Sequence, residues 1–221
     1  MSTTTLSLRA IVFDMDGLMV DSEPLAQQIW AGILRQYGHE LSPAAYARIV
    51  GRRTDFSAQL LLELYPMPLT AAELAALKHN RWTARWRQGV PAMPGLHELH
   101  ATLARRAIPW AVATSSPRDY AEFVLHHLGL WPTRGAIAAG TEVQQGKPAP
   151  DIYLLAAARL GVPPTTCLAL EDSVPGGQAA VAAGMTLVAV PNGTTSADDF
   201  PFASAVLPSL SAVAARLADW F

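Results

Sequence analysis

The chain has 221 residues, 51% of them hydrophobic, which suits one large domain or a core with a smaller appendage and excludes disorder. A formal net charge of -2 with no basic block gives nucleic acid no electrostatic footing, and the single cysteine, Cys167, excludes an intrachain disulfide or a cysteine-rich zinc site. No run approaches about 18 uninterrupted apolar residues, and Met1 to Leu8 lacks a basic-then-apolar leader, so a cytoplasmic protein with no membrane partner is expected.

Residues 9–14 read as a buried strand, because the apolar run Ile11-Val12-Phe13 ends in the acidic turn Asp14-Met15-Asp16-Gly17. Asp21-Ser22-Glu23-Pro24 then has the make-up of a helix start, with an Asp or Ser cap and Pro in the first turn. From there to about Gln88 the pattern is helical. Apolar residues recur at Leu25, Ile29, Ile33 and Leu34. Further helices are expected from Ser42-Pro43, over Asp55 to Leu64, and over Thr70 to Trp86, where Thr70 and Glu73 form a capping box. A strand followed by so long a helical stretch does not fit a simple βαβ unit. An inserted helical domain is therefore expected at 20–89, between the two parts of a core at 1–19 and 90–221.

Gly89 to Gly95 is a turn-rich return. Strands are expected at Ile108 to Ala113, Ala136 to Ala139, Cys167 to Leu170, Thr186 to Val190 and Ala203 to Leu207. Helices are expected at about Leu96 to Arg106, 118–128, Pro150 to Leu160 and Gly176 to Ala183. The alternation predicts an α/β fold, a Rossmann-like parallel sheet core carrying the all-helical insert.

In such a sheet ligands bind at the carboxyl ends of the strands. Three of those ends are polar: Asp14 and Asp16, then Thr114, Ser115 and Ser116, then Glu171 and Asp172. Lys147 stands alone in a loop of turn formers, Gly146-Lys147-Pro148-Ala149-Pro150-Asp151. Carboxylates held close repel one another unless a cation or shared proton compensates, and Mg²⁺ prefers oxygen ligands. Acidic groups, hydroxyls and one lysine around one crevice have the composition of a phosphoryl-transfer site. Each piece also has a plainer reading: an Asp-Gly turn, helix caps at Ser115, Ser116 and Ser173, or a solvated loop lysine. His97-Glu98-Leu99-His100 is one spacer short of the zinc-protease motif and reads as surface helix, and Trp82 with Trp86 reads as packing. Arg52 and Arg53 after Gly51 are either a solvated turn or contacts to an anionic or hydroxylated part of a substrate.

These residues resemble the haloacid dehalogenase superfamily, in its subgroup of phosphatases and β-phosphoglucomutase-like enzymes with a helical cap. Phe13-Asp14-Met15-Asp16-Gly17 with Asp21-Ser22-Glu23 matches the first motif, Ala113-Thr114-Ser115-Ser116 the second, Gly146-Lys147-Pro148-Ala149-Pro150-Asp151 the third, and Leu170-Glu171-Asp172-Ser173 the fourth. The resemblance covers nearly the whole chain. It implies that Asp14 is a nucleophile forming an aspartyl phosphate and Asp16 the general acid/base. It implies that Thr114, Ser115, Ser116 and Lys147 hold phosphate, and that Asp14, Asp16, Glu171 and Asp172 bind Mg²⁺, Asp16 through its backbone carbonyl. Arg52 and Arg53 would then reach substrate from the cap.

The expectation is a monomeric Mg²⁺-dependent phosphatase of a small phosphorylated metabolite, a sugar phosphate by resemblance. A phosphomutase uses the same core motifs. The mutases resembled have a His early in the first cap helix, however, and Pro24-Leu25-Ala26-Gln27-Gln28 has none; Lys78-His79-Asn80 keeps only part of their cap pattern. A signalling receiver domain also unites acids, a hydroxyl and a lysine, but in about half this length and without an acidic first turn followed by an insert. A dehalogenase would lack Asp16.

Overall fold

The computed structural model describes residues 8–133 and 136–221, so the leader region read above lies outside them apart from Leu8. Six parallel strands make one sheet: β1 (Ala10–Phe13), β2 (Trp110–Thr114), β3 (Ile137–Ala139), β4 (Cys167–Glu171), β5 (Thr186–Ala189) and β6 (Ala205–Val206), in the order β3-β2-β1-β4-β5-β6. The chain runs outward from β1 in one direction to β3, then returns to β1's other side for β4. That reversal opens a crevice at the carboxyl ends of β1, β2 and β4, where a doubly wound sheet binds its ligands.

Strand side chains alternate between the two faces. Ile11 and Phe13 join one apolar cluster, while Ala10 and Val12 join another that is rich in alanine. In this second cluster α7 (Asp151–Leu160) and α8 (Val174–Ala182) cover the sheet. Small residues on that face let helix backbones come close. α7 stops at Gly161, whose φ of 73° suits the left-handed cap that glycine adopts at least cost. α5 (Leu96–Arg105), α6 (Arg118–His127) and α9 (Leu210–Ala215) contribute to the first cluster.

Between β1 and α5 the chain forms four helices and no strand among the described residues: α1 (Glu23–Gln36), α2 (Pro43–Ala47), α3 (Thr54–Leu64) and α4 (Ala71–Trp86). The expected capping box opens α4, with Thr70 accepting from the Glu73 amide and Glu73 from the Thr70 amide. α4 packs on both α1 and α3. The two connections to the sheet lie side by side: Asp21 N donates to Pro91 O at 2.9 Å and Met93 N to Met19 O at 2.9 Å.

The expected elements are all present with shifted ends. The second strand starts at Trp110 rather than Ile108, and the fourth extends to Glu171, which is therefore a strand residue. Ser22 precedes α1 but its side chain makes no capping bond, because the hydroxyl is used elsewhere. No helix among the described residues is long and apolar enough to cross a membrane.

Candidate active site

β1 delivers Asp14 to the sheet edge, where it is buried beside Lys147 from the loop before α7 and Glu171 from the end of β4. Lys147 Nζ donates to Asp14 Oδ1 and, at 2.6 Å, to Glu171 Oε1. Tyr153 OH also donates to Glu171 Oε1, at 2.9 Å. The other Glu171 oxygen accepts from the amides of Asp172 and Ser173 and from the Ser173 hydroxyl, at 2.9 to 3.0 Å. Both Glu171 oxygens are thus engaged by protein donors, and its immediate effect is to hold the lysine. Gly176 is required beneath it, since a Cβ there would lie 1.6 Å from Glu171 Oε1.

Asp172 is fully buried and differently served. Its Oδ2 accepts from Asn192 Nδ2 at 2.8 Å, and its Oδ1 has no partner. Burial pushes the Asp14 and Asp172 carboxyls well above the ordinary range. Lys147 draws Asp14 back down, while neighbouring carboxylates push both further up. Burial alone would lower Lys147, but the attraction of Asp14 and Glu171 outweighs it, so the ammonium is held above its usual value. Oxygens of Asp14, Glu171 and Asp172 lie within 4.8 Å of one another. Three buried carboxylates against one ammonium, with one oxygen orphaned, suit a hard cation with oxygen ligands.

Asp16 sits on the chamber side of the turn. Its Oδ1 accepts from Ser22 Oγ at 2.8 Å and Tyr120 OH at 3.0 Å, and its Oδ2 from Thr114 Oγ1 at 3.2 Å and Ser116 Oγ at 2.7 Å. All four partners are hydroxyls, which can turn from donating to accepting. Thr114 is buried with its hydroxyl on Asp16. Of the three residues expected to hold phosphate here, Ser115 and Ser116 line the chamber.

The insert roofs this chamber with Glu23, Ala26, Trp30, Tyr46, Arg52, Lys78 and Trp82. Tyr46 OH donates to Glu23 Oε2, and burial raises the Glu23 carboxyl to about 7, against the opposing hydrogen bond from Tyr46. Burial also lowers Lys78, opposed by the attraction of Asp16 and Glu23. Arg52 Nε and Trp82 Nε1 are buried without partners. Insert and core meet directly where Ser115 Oγ donates to Gly51 O at 3.0 Å. Gly51 has φ 72° and lies so close to Ser173 that a Cβ would fall 2.4 Å from its Oγ.

The two arginines part company. Arg52 lines the chamber, whereas Arg53 does not: it grips Asp55 and reaches the backbone of Val143 and Gln144. Several residues of this site had no reading as site residues in the sequence: Tyr46, Tyr120, Tyr153 and Asn192. A signal existed for Asn192. It follows β5 in the stretch Pro191-Asn192-Gly193, so the strand-end rule that found the acids applied to this amide as well.

The haloacid dehalogenase-like hydrolase family matches residues 8–184. The fructose-1-phosphate phosphatase YqaB of Escherichia coli K12 is 38% identical over 180 residues, covering 81% of this chain and 95% of its own. Hexitol phosphatase A of the same organism is 33% identical over 183 residues, covering 82% of each. The crystal structure of CbbY from Rhodobacter sphaeroides in complex with phosphate shares 30% identity and a TM-score of 0.81 over 93% of this chain and 96% of that one. The resemblance read from four short motifs thus extends through sequence and fold together, and the chain belongs to the haloacid dehalogenase-like hydrolase family, as an enzyme of the phosphoric monoester hydrolase type.

Proposed function

We propose that this protein is a Mg²⁺-dependent phosphatase of a small sugar or polyol phosphate, working through an aspartyl phosphate on Asp14. The observation that carries this reading is the Asp14 carboxylate. It lines the chamber while its Oδ1 is fixed by Lys147, next to a carboxylate with a free buried oxygen. Relatives named for fructose 1-phosphate and hexitol phosphate support the substrate class.

Asp14 attacks phosphorus, the bond from phosphorus to the ester oxygen breaks, and Asp16 gives its proton to the leaving alkoxide. Water then gives a proton to Asp16 and attacks the phosphoaspartate. The bond to Asp14 breaks, releasing phosphate and restoring both residues. Lys147 stays with Asp14 and meets the phosphoryl charge, and Ser115 and Ser116 offer hydroxyls at the chamber wall, with Thr114 setting Asp16 behind them. Asp14, Asp172 and the Asp16 backbone carbonyl would hold Mg²⁺, with Glu171 behind them or through water; the cation would offset charge on the transferring group. Residues 20–89 act as a cap over a core of 1–19 and 90–221, and Glu23, Tyr46, Arg52 and Lys78 face the sugar.

The test is a set of sugar and polyol phosphates with Mg²⁺, reading free phosphate, with glucose 6-phosphate followed in parallel from β-glucose 1-phosphate. Phosphate release that stops with EDTA is expected. Equal rates with EDTA would remove the metal from the reading, and glucose 6-phosphate formed faster than free phosphate would make the enzyme a mutase.

A further inference from the structure

Arg53 belongs to the insert, yet its side chain lies on the core loop that carries Lys147. Its guanidinium is used twice. Nε and Nη2 clasp Asp55 at 3.2 and 2.6 Å, so the charge is answered within the insert. Nη1 is left to donate to Val143 O at 3.0 Å and Gln144 O at 3.3 Å. The methylene stem crosses Gly146, where a Cβ would stand 2.6 Å from Arg53 Cδ and 3.0 Å from Cγ. One side chain therefore touches three of the four residues that lead into Lys147. None of these contacts faces the chamber.

We propose that Arg53 is a positioning residue, which fixes the Val143–Lys147 loop so that the reach of Lys147 to Asp14 depends on the insert being seated. The inference rests on the phosphatase reading for its kinetic consequence and goes beyond it by giving the insert a part in the chemical step. A planar fork is needed, because two nitrogens are committed to Asp55 and the third must still project to two carbonyls. Gly146 is the complementary device: without a side chain it leaves the groove in which the arginine stem lies. Displacing either partner releases the same loop, and small misplacements of groups around a reacting centre carry large rate penalties, on the order of 100-fold for 1 Å.

The test is a double-mutant cycle of Arg53→Ala and Gly146→Ala, read on a small aryl phosphate and on the best sugar phosphate, together with hydrogen exchange of the segment containing residues 143–147. Each single variant should lose kcat/KM by about tenfold or more, equally on both substrates, since Arg53 touches neither. The double variant should lose no more than the worse single, because the Cβ clashes only with an arginine that is no longer there. Exchange in the segment should rise in Arg53→Ala with the melting temperature little changed. Additive losses, a loss confined to the sugar phosphate, or a lower melting temperature with kcat/KM of the folded protein intact would each overturn the proposal. The exchange measurement needs no turnover. If the wild type hydrolysed no phosphate ester the phosphatase reading would fail, while unchanged exchange in Arg53→Ala would by itself overturn the coupling.

Discussion

The two walls of the chamber are finished to different degrees. On the sheet edge almost every polar atom is already spoken for: Lys147 bridges Asp14 and Glu171, Glu171 takes five donors, and Asp16 takes four. On the insert side Arg52 Nε and Trp82 Nε1 are buried without partners, and Lys78 has no ion pair among the described residues. Orphaned buried donors carry a free-energy penalty that a bound acceptor relieves. The difference teaches where each task lies. On the proposed reading the core is preorganised for one reaction, and the insert is left incomplete in a way that a hydroxylated or anionic substrate would complete.

Substitutions can break that division, and the largest effect is expected in the core. Asp14→Asn should lower kcat by about 10⁴-fold or more on every substrate, because Asp14 is the nucleophile of the proposed reaction and an amide is a poor one. Steady-state assays and mass spectrometry for a phosphorylated chain check it. Turnover within tenfold of wild type, or an adduct on another residue, would remove the assignment.

At the proposed metal site, Asp172→Asn should weaken activation by Mg²⁺ by roughly 10- to 100-fold or more. The same change removes one of three crowded carboxylates, so the metal-free variant should melt higher than the metal-free wild type. Mg²⁺ should raise the melting temperature of the wild type and raise that of the variant much less. Equal shifts in the two proteins would show that Asp172 is not a ligand.

On the other wall, Arg52→Ala should cost about tenfold in kcat/KM for the best sugar phosphate and little for an aryl phosphate that does not reach the insert. Parallel kinetics on the two substrates decide it. Equal losses would move Arg52 from the specificity side of the comparison to the chemical side.

The smallest effect concerns Glu23, which burial raises to about 7 from 4.5. The folded protein then binds this proton more tightly than the unfolded chain does. Its contribution to stability is complete below pH 4.5 and is lost as pH rises through 7. Glu23→Gln has no such proton to lose. Melting temperatures of variant and wild type should diverge by a few degrees in the variant's favour across that window. A constant difference from pH 4.5 to 7 would exclude Glu23 as the titrating group.

Much of the polar edge was legible as a placement because a parallel sheet collects its strand ends in one place. Asp14, Asp16, Glu171 and Asp172 each sit within three residues of the end of an apolar run, so their position follows from the pattern. What each side chain touches was not legible. Ser22 has the type and place of a helix cap, but Asp16 competes for its hydroxyl and wins. Arg53 differs from Arg52 by one residue, and the direction each takes is set by where α3 begins and by Asp55, which no spacing rule encodes. Tyr120 is an ordinary core aromatic by pattern, packed edge-on against Trp82 and Trp86. Only its hydroxyl, at the end of a buried ring, makes it part of the site.

The apolar contacts do not respect the division that the polar ones draw. Ile29, Trp30, Ile33 and Trp82 of the insert belong to one apolar cluster with Phe13 and Val112 of the sheet and Leu210 of α9, and Met15, Leu18, Met19 and Val20 of the connecting segment are members of it too. Buried apolar side chains from the insert and the core thus share one cluster. Denaturant should therefore meet a single cooperative unit. Fluorescence from Trp30, Trp82 and Trp86 in the insert and from Trp110 in the sheet should be lost at one midpoint, and the excised helical segment should be molten by itself.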